Sequence, residues 1–171
     1  MNLLEQWGWR WSSWQKGERG EYWFLAQVFG LLIFALLPRR PVMDLAELTL
    51  PIQVALAILA GMLTLFGLIL IGKGLFDLGR SLTPLPYPRE DGQLVTKGVY
   101  GIVRHPLYAG IVAVTLGWVL FTLSWSHGLA GLAIAVLLDR KAAQEEIWLT
   151  AKYPEYAEYR QRTKKLVPWI W

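Results

Sequence analysis

The sequence predicts an all-α integral membrane protein with about four transmembrane helices, an N-terminal interfacial helix and a cytoplasmic C-terminal helix. Three observations carry this expectation. Hydrophobic residues make up 54% of the 171 residues, and mean hydropathy is +0.34; both are high for a soluble chain. Three long stretches carry no Asp, Glu, Lys or Arg: Tyr22 to Leu37, Leu50 to Gly72, and His105 to Leu138. The basic residues gather in alternate segments between those stretches, and hence on one side of the membrane, as the positive-inside rule requires of a multi-pass protein.

The elements follow in order. Trp7, Trp11 and Trp14 recur at i, i+4 and i+7, one face of a helix whose indoles suit the headgroup layer. Residues 1–21 are therefore expected to lie along the interface. No short apolar core with a small-residue cleavage site opens the chain, so no signal peptide is expected. Residues 22–76 form a first helix pair. Its second stretch alone is long enough for a hydrocarbon core of ~30 Å. The third stretch, as one straight helix, would reach about 50 Å and overshoot the bilayer. The polar patch Ser124-Trp125-Ser126-His127-Gly128 divides it into a helix from about Pro106 to Leu123 and another from about Leu129, with His127 at the turn. With the N-terminus inside, 15 of the 17 basic residues fall on the cytoplasmic side, and only Arg39 and Arg40 fall outside. The whole chain reads as one domain with both termini cytoplasmic.

Composition narrows the chemistry. There is no Cys, so disulfides, thiolate zinc sites and thiol nucleophiles are excluded. Two His residues argue against a His-rich metal centre. The net charge of +4 sits beside apolar runs rather than on a polar background, which argues for membrane orientation and against nucleic-acid binding.

Two polar stretches are candidates for function. The segment from Asp77 to Arg104 is rich in Pro and Gly and hence irregular. It ends at Arg104-His105-Pro106-Leu107-Tyr108-Ala109-Gly110. Pro106 suits the first turn of a helix, whose free N–H groups could take a carboxylate. Gly110 would let a ligand or a neighbouring helix approach the backbone. The plainer alternative is a helix entry with Arg104 and His105 facing headgroups. The second stretch, Asp139 to Leu149, begins at the membrane boundary, where ionisable groups are costly unless paired or in a wet cavity. Lys141 and Glu145, four apart, share a helix face there. A short helix follows Pro154, with Tyr156 and Tyr159 on one face. They either pack over the site or rest on headgroups.

At these residues the chain resembles the isoprenylcysteine carboxyl methyltransferase family, within a wider group that includes phospholipid N-methyltransferases. The resemblance runs from Leu82 to the C-terminus. It rests on Leu94 to Tyr100, on Arg104 to Gly110, on Glu145-Glu146-Ile147-Trp148-Leu149, on the spaced Tyr156 and Tyr159, and on Val167-Pro168. It implies S-adenosylmethionine as cofactor and residues 77–171 as the cofactor-binding region. Gln93, Leu94, Val95 and Tyr100 would line the cofactor pocket. His105, Pro106, Leu107 and Tyr108 would hold the cofactor at the helix start, and Glu145 would contact its amino acid or ribose end. The family's Arg before the Glu pair has no exact counterpart. Arg140 stands five before Glu145 and Lys141 four before it, so either could face the substrate. Arg140, Lys141, Glu145 and Glu146 are the catalytic candidates. A lipophilic or lipidated acceptor is expected, with membrane lipids as the other contacts and no metal. An NADPH-dependent membrane reductase of sterol-reductase type, or a non-catalytic membrane scaffold, are the competing readings.

Overall fold

The computed structural model describes residues 17–170. The expected interfacial helix at Trp7, Trp11 and Trp14 lies outside the described residues. Those residues form five α-helices: α1 (Glu21–Leu36), α2 (Leu50–Leu78), α3 (Pro106–Thr122), α4 (Trp125–Lys152) and α5 (Tyr156–Arg162). Short 3-10 turns punctuate the connections, and no strand occurs among the described residues beyond two isolated bridges.

α2 is long and apolar enough to cross a bilayer, and only 17% of its most apolar window is buried by the rest of the chain. A soluble core helix would be covered on most sides, so the exposed Leu65, Phe66, Leu68 and Ile69 call for a lipid environment. α1 and α3 are apolar but shorter, at 16 and 17 residues. α4 changes character along its length, apolar as far as Leu138 and charged from Asp139 onward.

α2 and α3 pack through a seam of small residues. A Cβ on Gly67 would stand 2.6 Å from the Gly110 carbonyl oxygen, and one on Gly110 the same distance from that of Gly67. About two helical turns further along, a Cβ on Gly117 would come 2.9 Å from the Ala60 oxygen. The pairs 67 with 110 and 60 with 117 run in opposite senses, so the helices are antiparallel. Without a hydrophobic drive between helices in lipid, such backbone approach is what van der Waals packing requires. Gly110 thus serves a neighbouring helix. α4 packs on α3, and α1 packs on α4 through Phe34, Ile134 and Leu138.

Two boundaries differ from expectation. α2 continues past Gly72 through Lys73 and Asp77. α4 begins at Trp125, not near Leu129, because Ser124 caps it and Leu123 alone makes the turn with φ of 46°. His127 is therefore not a turn residue. It sits in the first turn of α4, 2% exposed, with its Nδ1 2.9 Å from the Ser124 hydroxyl. At the opposite end the tail docks on the entry to α3. The Arg104 and His105 N–H groups donate to the Lys164 and Lys165 carbonyls at 2.8 and 3.1 Å.

Candidate active site

The docked tail closes a cavity of about 410 Å³, within the size range of small-molecule sites. Its walls are the end of α2, the Pro-rich segment after it, the first turn of α3, the polar half of α4, and α5. Gln93, Leu94, Val95, Tyr100, His105, Pro106, Leu107, Tyr108, Lys141 and Glu145 all line it. Arg140 and Glu146 do not. Helix geometry accounts for the difference. Lys141, Glu145 and Leu149 recur every four residues and share the cavity face, while neighbours in sequence turn away by about 100°. Arg140 is exposed, so of these two neighbouring cations it is Lys141 that lines the cavity.

The two glutamates are held differently. Tyr108 donates its hydroxyl to Glu145 Oε2 at 2.8 Å, and Glu145 keeps a partly open side. Glu146 is 5% exposed and bound from several directions. Arg104 Nε donates to its Oε1 at 2.8 Å, His105 Nε2 lies 3.1 Å from the same atom, and Arg160 Nε lies 3.6 Å from Oε2. Burial would raise the Glu146 carboxyl, but the hydrogen bonds from His105 and Arg104 prevail and hold it down at about 2. Glu146 thus ties the α3 entry to α4 and the tail.

His105 links both carboxylates. Its ring stacks on Tyr108 with centroids 5.4 Å apart, and its Nδ1 lies 3.7 Å from Glu145 Oε2. At the same helix start Pro106 has no N–H, and the first backbone bond runs from Ala109 to the His105 carbonyl at 3.0 Å. The Leu107 and Tyr108 N–H groups precede that bond at the positive end of the helix, and both residues line the cavity.

Lys141 is 2% exposed. It donates to the Gln27 amide oxygen at 2.6 Å and lies 5.1 Å over the Tyr108 ring. Burial pulls its ammonium down to about 8, with Glu145 opposing in part. Gln27 and Phe24, from α1, also line the cavity. Sequence reasoning missed both. Gln27 is the one amide in the apolar stretch Tyr22 to Leu37, and a lone polar side chain at that depth was the available signal.

Over the cavity, Tyr159 donates its hydroxyl to the Tyr100 carbonyl at 2.6 Å, and Tyr156 packs edge-on against Tyr159. The two tyrosines therefore roof the site. Burial raises both phenols, so they stay neutral. No group of three or more His, Cys, Asp or Glu able to hold a metal occurs among the described residues.

The model of the phospholipid methyltransferase family matches residues 55–156. The chain belongs to this family. It is 34% identical over 113 residues to protein-S-isoprenylcysteine O-methyltransferase B of Arabidopsis thaliana, covering 62% of this chain and 56% of that one. The resemblance read from the motifs is thereby borne out. Over 101 residues it is 33% identical to the cobalt-zinc-cadmium resistance protein CzcN of Cupriavidus metallidurans, covering 58% of this chain and 47% of that one. The chain spans about half the length of these two curated relatives. Membership of a membrane methyltransferase family favours methyl transfer over the reductase reading.

Proposed function

We propose that this phospholipid methyltransferase family member is a multi-pass membrane enzyme that transfers a methyl group from S-adenosylmethionine to a lipophilic acceptor. The observation that carries the reading is the polar cluster of Tyr108, Glu145 and Lys141 inside a cavity whose remaining walls are largely apolar.

The residues suit the cofactor's parts. The cofactor carries a carboxylate, an ammonium, a ribose diol and a flat base. The Leu107 and Tyr108 N–H groups suit the carboxylate, since a helix N-terminus favours an anion. Glu145 suits the ammonium or the diol through charge-assisted hydrogen bonds. Leu94 and Val95 offer apolar surface for the base. When bound, the sulfonium supplies an already activated methyl group. The chain then needs to orient donor and acceptor and to exclude water. Tyr156 and Tyr159 shut the site on one side. Phe24, Gln27 and Ile111 extend it toward the apolar ends of α1 and α3, which suits an acceptor arriving from the bilayer. An isoprenylcysteine carboxylate or a similar group fits, because a carboxylate is already deprotonated at neutral pH. An amine acceptor would need Glu145 to receive its proton, since the Glu146 carboxylate is fully engaged.

Four membrane passes, with the site and both termini cytoplasmic, are supported by the basic residues that gather at the end of the bundle holding the cavity. S-adenosylhomocysteine tests the reading. At 100 times its dissociation constant it should stabilise the detergent-solubilised protein by about 2.7 kcal/mol, and NADPH should not. A shift with NADPH alone would restore the reductase reading. A shift with neither would favour a scaffold.

A further inference from the structure

The polar half of α4 has a second concave face. Ala143, Glu146, Ile147 and Thr150 recur at i, i+3, i+4 and i+7, on the side of the helix turned away from Lys141, Glu145 and Leu149. With Arg104, Arg160, Lys164, Lys165 and Ile170 they form an open groove behind the methyl-transfer cavity, the two sharing Arg104 as a wall. Its charge is uneven. Four cations line it against Glu146 alone, and that carboxylate is already shared by Arg104, His105 and Arg160. Lys165 is met by Asp139 at 2.6 Å. Lys164 has no carboxylate partner among the described residues, and the Arg160 side chain is 60% exposed. The surplus positive charge therefore rests on Arg160 and Lys164.

The groove is also apolar along its edge. Ile147 and Ile170 are 61% and 77% exposed, and the neighbouring Trp169 is 88% exposed. The apolar part of α4 ends at Leu138, so a groove built from residue 143 onward lies at headgroup depth. This step rests on the membrane topology proposed above. Paired cations beside exposed aliphatic and indole side chains match a phosphate joined to acyl chains. They do not match a free anion, which has no use for the isoleucines.

We infer that this groove binds the phosphate headgroup of an anionic membrane lipid through Arg160 and Lys164, with the lipid's chains along Ile147 and Ile170. The site is distinct from that of the acceptor. Because its floor is the Arg104–Glu146 pair, a bound lipid would brace the tail against α4 on the side away from the cofactor.

Thermal stability of the full chain in neutral detergent tests this, with dimyristoylphosphatidylglycerol, dimyristoylphosphatidylcholine and inorganic phosphate as separate additions. The glycerol lipid should stabilise the protein in a saturable way, and the choline lipid and inorganic phosphate should not. Each cation near a charged lipid surface is worth about five-fold in affinity. The double variant Arg160→Gln, Lys164→Gln should therefore need roughly 25-fold more lipid for the same shift. Ile170→Ser should weaken the lipid response while leaving both charges in place. Equal responses to both lipids, or to inorganic phosphate, would overturn the inference, as would a double variant that responds like the wild type. S-adenosylhomocysteine keeps the two proposals apart. Its shift should survive in Lys164→Gln, and losing the lipid response alone indicts the groove and not the methyl-transfer site.

Discussion

The two ends of the helix bundle each bury a histidine near the start of a helix, and their surroundings have little in common. At one end His127 is 2% exposed. Its ring meets the Ser124 hydroxyl at 2.9 Å and the edge of Phe34 at 5.0 Å. Ser124 and Ser126 lie 2.9 Å apart, and Ser126 donates to the Pro38 carbonyl. The polar groups there find hydroxyl and carbonyl partners inside the chain. At the other end His105, 5% exposed, stands between two carboxylates at the mouth of a cavity. There, among the described residues, the side-chain hydrogen bonds of Glu145 and Lys141 run to the neutral Tyr108 and Gln27, with His105 standing 3.7 Å from Glu145. A cation left beside an amide and a carboxylate left beside a phenol are costly at this depth. Natural proteins keep such arrangements where a ligand completes them. The end with satisfied groups holds the fold, and the end with incompletely paired charges holds the candidate site.

Glu146 is the exception at the charged end, and it supplies the largest expected effect. Both it and Arg104 are nearly fully buried, so removing one charge strands the other. Glu146→Gln should cost about 3–5 kcal/mol of stability, seen as a lower unfolding midpoint in detergent. The pH dependence has a definite sign. The folded carboxyl titrates at about 2 against an ordinary value of 4.5. A depressed pKa contributes stability above the ordinary value and loses it as pH falls toward the folded one. Wild type should therefore lose stability between about pH 4.5 and 2, and the variant should lack that part of the slope. An unchanged midpoint would mean that the cluster at Glu146 is not what joins α3, α4 and the tail.

Glu145→Gln should show the reverse balance. A hydrogen bond to a charged group contributes about 1.5–3 kcal/mol, so affinity for S-adenosylhomocysteine should fall roughly ten- to hundred-fold, with a smaller change in stability than in Glu146→Gln. Titration calorimetry on the two variants reads this contrast directly. If Glu145→Gln binds like wild type while a folded Glu146→Gln loses the ligand, the assignment of the two faces of α4 is reversed.

Much of this end was legible in the sequence because its signals are local. Arg104 to Gly110 is contiguous, and Pro106 marks a helix start by its chemistry alone. Lys141 and Glu145 follow from four-residue spacing, which fixes a shared face whatever the tertiary fold. The same reasoning could not choose between Arg140 and Lys141, because the direction of that face depends on how α4 packs against α1 and α3. Gln27 was missed for the same reason, since it reaches Lys141 across 114 positions of chain. The start of α4 was misjudged because Leu123, a residue with no turn preference, adopts the left-handed conformation there. The run from His105 to Leu138 therefore carries no Gly or Pro at the actual break.

The smallest predicted effect lies at the opposite end and tests whether the two ends are independent. Ser124 accepts from the Arg40 N–H at 3.1 Å and, at the start of α4, from the His127 N–H at 3.5 Å. Replacing a capping serine by alanine costs about 1 kcal/mol. Ser124→Ala should therefore lower the unfolding midpoint modestly, well short of Glu146→Gln. Affinity for S-adenosylhomocysteine should stay as in wild type. Ser124 and Glu145 are 21 positions apart on one continuous helix, or about 32 Å at 1.5 Å per residue, and changes that far apart with no shared partner add independently. A fall in affinity comparable to that of Glu145→Gln would show that α4 transmits strain along its length, and the division of labour between the two ends would then have to be abandoned.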